Sequence, residues 1–227
     1  MHPSVVHVVL LLLGAVLLAP SAAPAQPPEK PEKSEKPEFV GIHVGFDNRY
    51  KVGQWTPVEL TLRGGAQRVT GVVTLTVEDD DGTPSRVGAE ATPAGMCQVL
   101  PGAETTVRMA VKFGQTDGTL TAALHEPDQV RGKTVAGKLI TGKRFRTGLE
   151  VDPTHFLSGM AATQELIVTV GPASVGVEGA LSVAGQAQAD LLRSERETVA
   201  VRLEGAGRLP TRWYGYEGVD AVVLATS

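Results

Sequence analysis

A series of short segments with alternating apolar and polar residues, spread over residues 39–153, limits the folds open to this chain most strongly. The clearest are residues 57–62, 69–77 and 105–113, and each is followed by residues that favour turns. Period-two alternation of this length is typical of strands with one buried face, and Gly, Pro and Asp favour the turns between them. We therefore predict a mostly β fold that begins with an antiparallel, Ig-like β-sandwich of about eight strands over residues 39–153.

The pattern changes after about residue 154. Residues 165–171 are almost continuously apolar, and residues 198–203 and 220–226 predict two further strands. A helix is predicted after the first of these strands from the spacing of Ala180, Ala184, Ala187 and Leu191. This order of elements indicates a partial α/β (flavodoxin-like) unit over residues 154–227. One helix leaves one face of such a sheet bare. Either the protein continues past Ser227 or the strands rest on the sandwich, and we favour the first.

The first 25 residues have the composition of an export signal. The apolar run from Val5 to Leu18 is shorter than the roughly 20 residues of a membrane-spanning helix. Ala23-Pro24-Ala25 fits the small-x-small pattern at which signal peptides are cleaved. We expect a signal peptide over residues 1–25 and export to the periplasm or cell envelope. The alternative is an uncleaved leader that anchors the protein in the membrane.

Residues 26–38 are a linker with proline at every third position, in the repeat Pro28-Glu-Lys, Pro31-Glu-Lys, Ser34-Glu-Lys, Pro37-Glu. This spacing favours polyproline II, which makes the segment a semi-rigid spacer. Two roles stay open for it. It either holds the folded part away from a membrane or partner, or it is itself a ligand for a groove that binds proline-rich segments.

Charge and cysteine content exclude several classes of protein. The formal net charge of −4 argues against nucleic acid as a partner. Cys97 is the only cysteine, so no intrachain disulfide can form, and the Cys-Trp-Cys pattern of immunoglobulin domains is absent. The sandwich is therefore expected to be Ig-like in architecture alone.

The sequence contains no complete catalytic or metal-binding motif. Ser174 lies between a predicted strand and helix, where a nucleophile elbow would lie, but Pro172 replaces the first glycine of Gly-x-Ser-x-Gly. The histidines show no metal-ligand spacing; they include His43, His125 and His155. We expect no catalytic residue, no cofactor and no metal site in this chain.

Two aromatic motifs, residues 45–57 and 212–217, carry the remaining signal. In the first, we expect Trp55 to cover the end of the sandwich core after a turn at residues 47–49. The second contains the candidate binding residues Arg212, Trp213, Tyr216 and Glu217. Trp, Tyr and Arg are frequent interface anchors, but the same rings can also pack against the sheet or the sandwich. Both interpretations stay open.

The two motifs and the order of the domains resemble those of large uncharacterised bacterial cell-envelope proteins. In the first motif the resemblance covers Gly45-Phe-Asp, Tyr50, Val52-Gly53 and Trp55-Thr-Pro-Val58, and in the second Leu209-Pro, Arg212-Trp-Tyr-Gly-Tyr, Val219-Asp and Val222-Val-Leu224. It implies an N-terminal Ig-like β-sandwich followed by a domain similar to class I glutamine amidotransferases, which have a flavodoxin-like fold. No catalytic residue transfers, because residues 154–227 contain no cysteine.

The function expected from the sequence is that of an exported, envelope-associated binding or scaffolding protein without catalytic activity of its own. Its partner is expected to be a protein or another envelope component, and membrane contact would come through an uncleaved leader or segments beyond Ser227. The alternative is the N-terminal portion of a larger amidotransferase-like or hydrolase-like enzyme with its catalytic residues beyond the C-terminus. A third option is a small secreted protein whose last strands join the sandwich.

Overall fold

The computed structural model describes residues 34–88, 96–146, 150–152, 155–171, 176–177 and 198–225. The fold of these residues is mostly β with antiparallel sheets. Its first nine strands are β1 Glu38–Val44, β2 Arg49–Lys51, β3 Trp55–Arg63, β4 Val69–Glu78, β5 Pro84–Gly88, β6 Met96–Val99, β7 Glu104–Lys112, β8 Thr119–Val130 and β9 Lys133–Arg146. The later elements are β10 Glu150–Asp152, β11 His155–Phe156, β12 Ser158–Met160, β13 Glu165–Val170, β14 Thr198–Leu203 and β15 Ala221–Leu224, with 3₁₀ turns at Ala206–Arg208 and Trp213–Tyr216.

Two antiparallel sheets form a β-sandwich. One has the strand order β1-β3-β7, and the other has the order β5-β4-β8-β9 with β6 also paired to β4. Their inward side chains share one apolar core, with members that include Ile42, Leu60, Val111, Leu75 and Leu124. Alternation in β3 explains the geometry: Val58 and Leu60 are buried, while Pro57 and Glu59 point to the opposite, outer face.

The turn at the start of the first aromatic motif forms as the sequence predicts. Asp47 and Asn48 have φ of 53° and 58°, and Phe46 and Arg49 exchange both backbone hydrogen bonds around them. Positive φ at both central residues is characteristic of a tight type I′ turn, which Asn and Asp tolerate. The buried Asn48 side chain also accepts a hydrogen bond from the Val44 N–H at 3.1 Å. The turn therefore sets the direction in which the rest of the motif leaves β1.

The expectation that Trp55 covers the end of the sandwich core is wrong. Tyr50 has that position: its ring stacks on Phe113 at 3.9 Å between centroids, and both rings are buried. The Tyr50 hydroxyl donates to the carbonyl oxygens of Gln115 and Thr116 at 2.9 and 3.0 Å. Trp55 lies on the outer face because it is out of phase with the inward residues of β3.

The last strands form a separate parallel sheet of order β14-β13-β15. These are the three strands that the sequence predicts over residues 165–171, 198–203 and 220–226. The helix predicted between the first two, and Ser174 at its start, lie outside the described residues. Antiparallel sheets and a parallel sheet are therefore described, and the α/β (flavodoxin-like) unit stays a prediction.

One face of the parallel sheet packs against residues that belong to the sandwich side of the molecule. Leu166, Val168 and Val201 form a buried cluster with Phe46 and Met160. Phe46 comes from the turn before β2, and Met160 from β12, which pairs in parallel with β2. This face therefore packs on the β2–β12 pair and the turn before it, which lie outside the two sandwich sheets, and both alternatives for the last strands stay open.

All described residues belong to one compact unit, Lys33–Ser227. The signal peptide over residues 1–25 lies outside the described residues, as does most of the linker over 26–38. The domain boundary at 153/154 stays a prediction. Within the described part of the chain, no helix is long and apolar enough to cross a lipid bilayer.

Candidate functional site: an aromatic cleft beside the sandwich

A cleft of about 690 Å³ separates the outer face of the β1-β3-β7 sheet from the crossover, the segment of residues 204–220 that connects β14 to β15. We call the first surface the floor and the second the wall. Floor residues include His43, Trp55, Pro57, Glu59, Arg108 and Ala110, and wall residues include Arg208, Pro210, Arg212, Trp213, Tyr214 and Glu217. The volume falls in the range of pockets that hold small molecules or short peptide segments.

The floor follows from the pairing register of the central strand. Pro57 pairs with Ala110 and Glu59 with Arg108, so these side chains form two cross-strand rows on the outer face. The Arg108 Nε donates to Glu59 Oε2 at 2.8 Å, which neutralises one row. The other row is apolar and close to Trp55. The floor therefore offers a neutral surface with an apolar half.

The wall is held by short-range contacts within the crossover. The Tyr216 hydroxyl donates to the Pro210 carbonyl oxygen at 3.0 Å, closing a compact loop. Gly215 lies inside this loop, where a Cβ atom would come within 2.6 Å of the Pro210 ring. Glycine is therefore required for the close approach of the 3₁₀ turn to Pro210, and that approach fixes where the neighbouring side chains point.

Three aromatic side chains form a ladder from the floor to the edge of the wall. Trp55 and Tyr214 have centroids 5.8 Å apart at 54°, and Tyr214 and Trp213 have centroids 5.9 Å apart at 77°. Both separations are typical of tilted and edge-to-face aromatic pairs. The outermost ring, Trp213, is 79% exposed. The ladder therefore ends in a large ring that is open to solvent.

Glu217 ties the wall to the floor. Its Oε2 accepts a hydrogen bond from the Trp55 backbone N–H at 3.2 Å and lies 3.5 Å from Lys112 Nζ. Lys112 Nζ also lies 5.3 Å from the centre of the Trp55 ring, a cation–π contact. A second tie joins the Arg108 Nη2 to the Gly207 carbonyl oxygen at 3.3 Å. These contacts preform the cleft.

The wall also carries positive charge. Arg208 and Arg212 are exposed and line the cleft. Neither guanidinium forms an ion pair with another residue of the described ranges. Arginine that is free to reach outward can form bidentate hydrogen bonds with a carboxylate. The cleft therefore combines aromatic rings with two cationic side chains at its edge.

An ion pair between buried Lys51 and exposed Asp220 fixes the crossover at its far end. Lys51 Nζ, on a side chain that is 7% exposed, lies 2.5 Å from Asp220 Oδ2, which also accepts the Leu166 N–H at 2.7 Å. Burial alone would raise the pKa of the Asp220 carboxyl. Its hydrogen bonds from Lys51 and Leu166 outweigh that effect and hold the pKa below its ordinary value. The pair thus joins β2, β13 and the start of β15.

The structure brings three of the four candidate binding residues to this cleft. Arg212, Trp213 and Glu217 line it. Tyr216 does not line it, because its ring packs behind the wall against Phe46, with centroids 6.2 Å apart. For Tyr216 the packing interpretation therefore fits. Ligand binding by the other three stays a prediction.

The floor and one wall residue were missed by sequence reasoning. Tyr214 and Pro57 lie within the two aromatic motifs but are not among the candidate binding residues, and the sequence predicts Glu59 and Arg108 only as strand residues. The phase of β3 was the available signal, since residues that alternate with buried Val58 must share the outer face with Trp55.

The described residues contain little that could support metal or thiol chemistry. Within those ranges, no three His, Cys, Asp or Glu side chains are grouped so that they could hold a metal ion. His125 is engaged with Thr74 Oγ1 and the Gly137 carbonyl oxygen, both at 3.1 Å. Burial raises the pKa of the Cys97 thiol to about 11, which leaves it protonated at neutral pH.

One protein-family model matches the part of the chain that forms the sandwich. Residues 40–143 match the model of a domain of unknown function, DUF8726. No curated protein sequence matches the chain. The match ends before the crossover, so it includes the floor of the cleft and excludes its wall.

Several solved structures share a distant likeness with part of the chain. The C-terminal domain of wzt is 12% identical with a TM-score of 0.34, covering 57% of this chain and 89% of that one. Spo0M, a sporulation control protein from Bacillus subtilis, is 11% identical with a TM-score of 0.29, covering 48% of each chain. The CARDB domain of a Pyrococcus furiosus protein, in complex with di-metal ions, is 12% identical with a TM-score of 0.29, covering 58% and 95%.

Proposed function

We propose that this protein is an exported, envelope-associated binding or scaffolding protein without catalytic activity of its own, and that the cleft is where it holds its partner. The observation that carries this proposal is the preformed aromatic ladder, whose outermost ring, Trp213, is 79% exposed. Residues with this chemistry dominate the binding energy of many protein interfaces.

The arrangement of the cleft favours an extended segment of a partner protein. Its floor is the outer face of a sheet, and its wall runs alongside, so the space is a groove with an open side. Exposed Arg212 lies next to Trp213 on that side. Aromatic rings supply contact area at low cost in side-chain entropy, and arginine adds polar specificity.

Export to the periplasm or cell envelope is supported by the leader sequence. The test is mass spectrometry of the mature protein from its source cells. We expect an N-terminus at Gln26 or a near neighbour. An intact Met1 in a cytoplasmic fraction would contradict export, and an intact Met1 in a membrane fraction would favour the uncleaved anchor.

Binding through the cleft is tested by site-specific photo-crosslinking in the source cells. Benzoylphenylalanine at position 213 keeps an aromatic ring at the end of the ladder. The matched control is the same residue in place of Leu139, which is 57% exposed on the other sheet. We expect a discrete adduct from position 213 and none from position 139. Equal adducts from both positions, or none from either, would contradict a binding role for the cleft.

The alternative function, the N-terminal portion of a larger amidotransferase-like or hydrolase-like enzyme, has one supporting observation. The parallel order β14-β13-β15 has the first strand in the centre, as flavodoxin-like sheets begin. Under this alternative, the sandwich corresponds to the Ig-like domain of the large envelope proteins that the sequence resembles. A longer reading frame that adds a catalytic Cys or His/Glu motif would favour it over pure binding.

A further inference from the structure

The chain itself contains a segment whose chemistry suits the cleft. Residues 26–33 read Gln-Pro-Pro-Glu-Lys-Pro-Glu-Lys, with Pro28 and Pro31 three positions apart. A polyproline II helix has three residues per turn, so these prolines share one face, Glu29 and Glu32 a second, and Lys30 and Lys33 a third. Such segments bind aromatic-lined grooves because their conformation is already restricted.

The cleft presents matching partners for two of these faces. The Trp55–Tyr214–Trp213 ladder, beside Pro57, is an apolar surface of rings against which prolines pack. Arg208 and Arg212 on the wall offer guanidinium groups to the two glutamates. The third face, which carries the lysines, is left for solvent and for Glu59 and Glu217 of the cleft.

Chain length excludes binding of this segment to the cleft of its own molecule. The described chain begins at Ser34, and Glu35 lies beside Ala66, beyond the far end of β1. His43 on the floor is five residues along β1 from Glu38, so Glu38 itself lies roughly 17 Å from the floor at about 3.3 Å per residue, and Ser34 lies before it in the chain. Pro31 is three residues before Ser34 and can reach only about 9 Å in polyproline II.

We propose that the cleft binds the proline repeat, residues 26–33, of a second copy of this chain, so that the exported protein self-associates through its N-terminal segment. This rests on the proposed binding role of the cleft and names its occupant. Each molecule carries this cleft and this segment, so two molecules can bind each other in trans.

The two tryptophans of the chain, Trp55 and Trp213, both line the cleft. Intrinsic fluorescence of the full chain therefore reports on the cleft directly. A synthetic peptide of residues 26–36 contains no aromatic residue and adds no emission of its own. We expect a saturable blue shift on titration, because prolines exclude water from the exposed Trp213 ring.

The matched control peptide carries Pro31→Glu and Glu32→Pro, which keeps the composition and breaks the three-residue spacing. We expect at least tenfold weaker binding of this control. We also expect the Trp213→Ala chain, followed through Trp55, to lose about 30-fold in affinity for the parent peptide, the effect of removing one hot-spot side chain. Equal responses to the two peptides would overturn the proposal.

Self-association is measured on the full chain by sedimentation velocity. We expect concentration-dependent association of the parent chain and its loss in the Pro28→Ala/Pro31→Ala variant. A parent chain that stays monomeric, or a variant that associates equally, would overturn the second copy as the occupant. In the crosslinking experiment, an adduct between position 213 and a different envelope component would support the binding role of the cleft and contradict the second copy as its occupant. Absence of any adduct from position 213 would contradict both.

Discussion

Two groups of aromatic residues in this molecule each include one member of the first aromatic motif, and the two groups have opposite environments. Tyr50 and Phe113 stack at 3.9 Å inside the sandwich, both almost fully buried. Trp55, Tyr214 and Trp213 form a looser ladder, with separations of 5.8 and 5.9 Å, that ends in solvent. Five residues separate Tyr50 from Trp55, so one motif supplies both a core residue and a surface residue.

The difference shows how one stretch of chain divides its residues between the core and the surface of the cleft. The turn at Asp47 and Asn48 directs Tyr50 into the core, and the phase of β3 turns Trp55 to the outer face. The buried pair is satisfied within the sandwich by packing and by hydrogen bonds of the Tyr50 hydroxyl. Among the described residues, the ladder packs against the floor at its inner end, and its outermost ring, Trp213, is 79% exposed.

The largest effect on stability is expected in the buried pair. Phe113→Ala removes a ring that is 1% exposed and stacked on Tyr50. We expect the free energy of unfolding to fall by about 3–5 kcal/mol in urea denaturation, from lost burial and the cavity left behind. Leu139→Ala, at an exposed site, serves as the control with an expected change within about 0.5 kcal/mol. Equal losses in both variants would contradict the assignment of this pair to the core.

The next largest effect is expected at the joint between the sandwich side and the parallel sheet. Asp220→Asn leaves the buried Lys51 ammonium without its ionic partner, which should cost roughly 1–3 kcal/mol. Because the folded pKa of Asp220 is lowered, the stability that the pair contributes is complete above the ordinary aspartate pKa of about 3.9. It is lost as the pH falls through the lower folded pKa.

The measurement is the free energy of unfolding as a function of pH for the parent and Asp220→Asn chains. The difference between them should shrink as the pH falls below about 4. The control is Glu104→Gln, which removes an exposed ion pair with Arg63 and should change stability by less than about 1 kcal/mol. A difference between the chains that is independent of pH would show that the carboxylate charge is unimportant at this joint.

A smaller effect is expected at the inner end of the ladder. Trp55→Ala removes the ring contact with Tyr214 and the cation–π contact with Lys112. Together these should contribute about 1–2 kcal/mol. We expect faster amide hydrogen exchange in residues 204–217, measured by mass spectrometry, while exchange in the sandwich core is unchanged. Trp55→Phe should recover part of the protection. No change of exchange in either variant would show that the Trp55 ring does not hold the wall to the floor.

The smallest effect on stability is expected at the outer end. Trp213→Ala removes a side chain that is 79% exposed and contacts Tyr214 by its edge. The free energy of unfolding should change by no more than about 0.5 kcal/mol. The same variant should lose its partner, as peptide titration and crosslinking report. A loss of stability comparable to that of Phe113→Ala would mean that Trp213 is a packing residue.

Much of the sandwich could be predicted from the sequence because alternation is a local signal. The segments that became β3, β4 and β7 show it clearly, and the turn at Asp47 and Asn48 carries its own chemistry. Strands β2 and β12 were missed since each has three residues, too few for a period. The Tyr50–Phe113 pair was missed because it joins residues far apart in the sequence, so that only tertiary packing brings them together.

The sequence indicates several residues that form the wall of the candidate site, but it does not indicate where that wall lies in the fold. The composition of residues 212–217 singled out Arg212, Trp213 and Glu217 as binding candidates. Nothing local predicts that Glu217 meets Lys112, or that Asp220 meets the buried Lys51. The first contact ties the crossover to the outer face of the sandwich sheet and the second ties it to β2, and both depend on tertiary packing.

In this structure the crossover lies on the outer face of the sandwich and extends an aromatic ladder from it. The most direct measurement is the nuclear Overhauser effect between the Trp55 indole and the Tyr214 ring, whose centroids lie 5.8 Å apart. We predict cross-peaks between these two rings and between Tyr214 and Trp213. Well-resolved signals from both tryptophans with no cross-peak from Trp55 to Tyr214 would contradict the cleft and the function proposed for it.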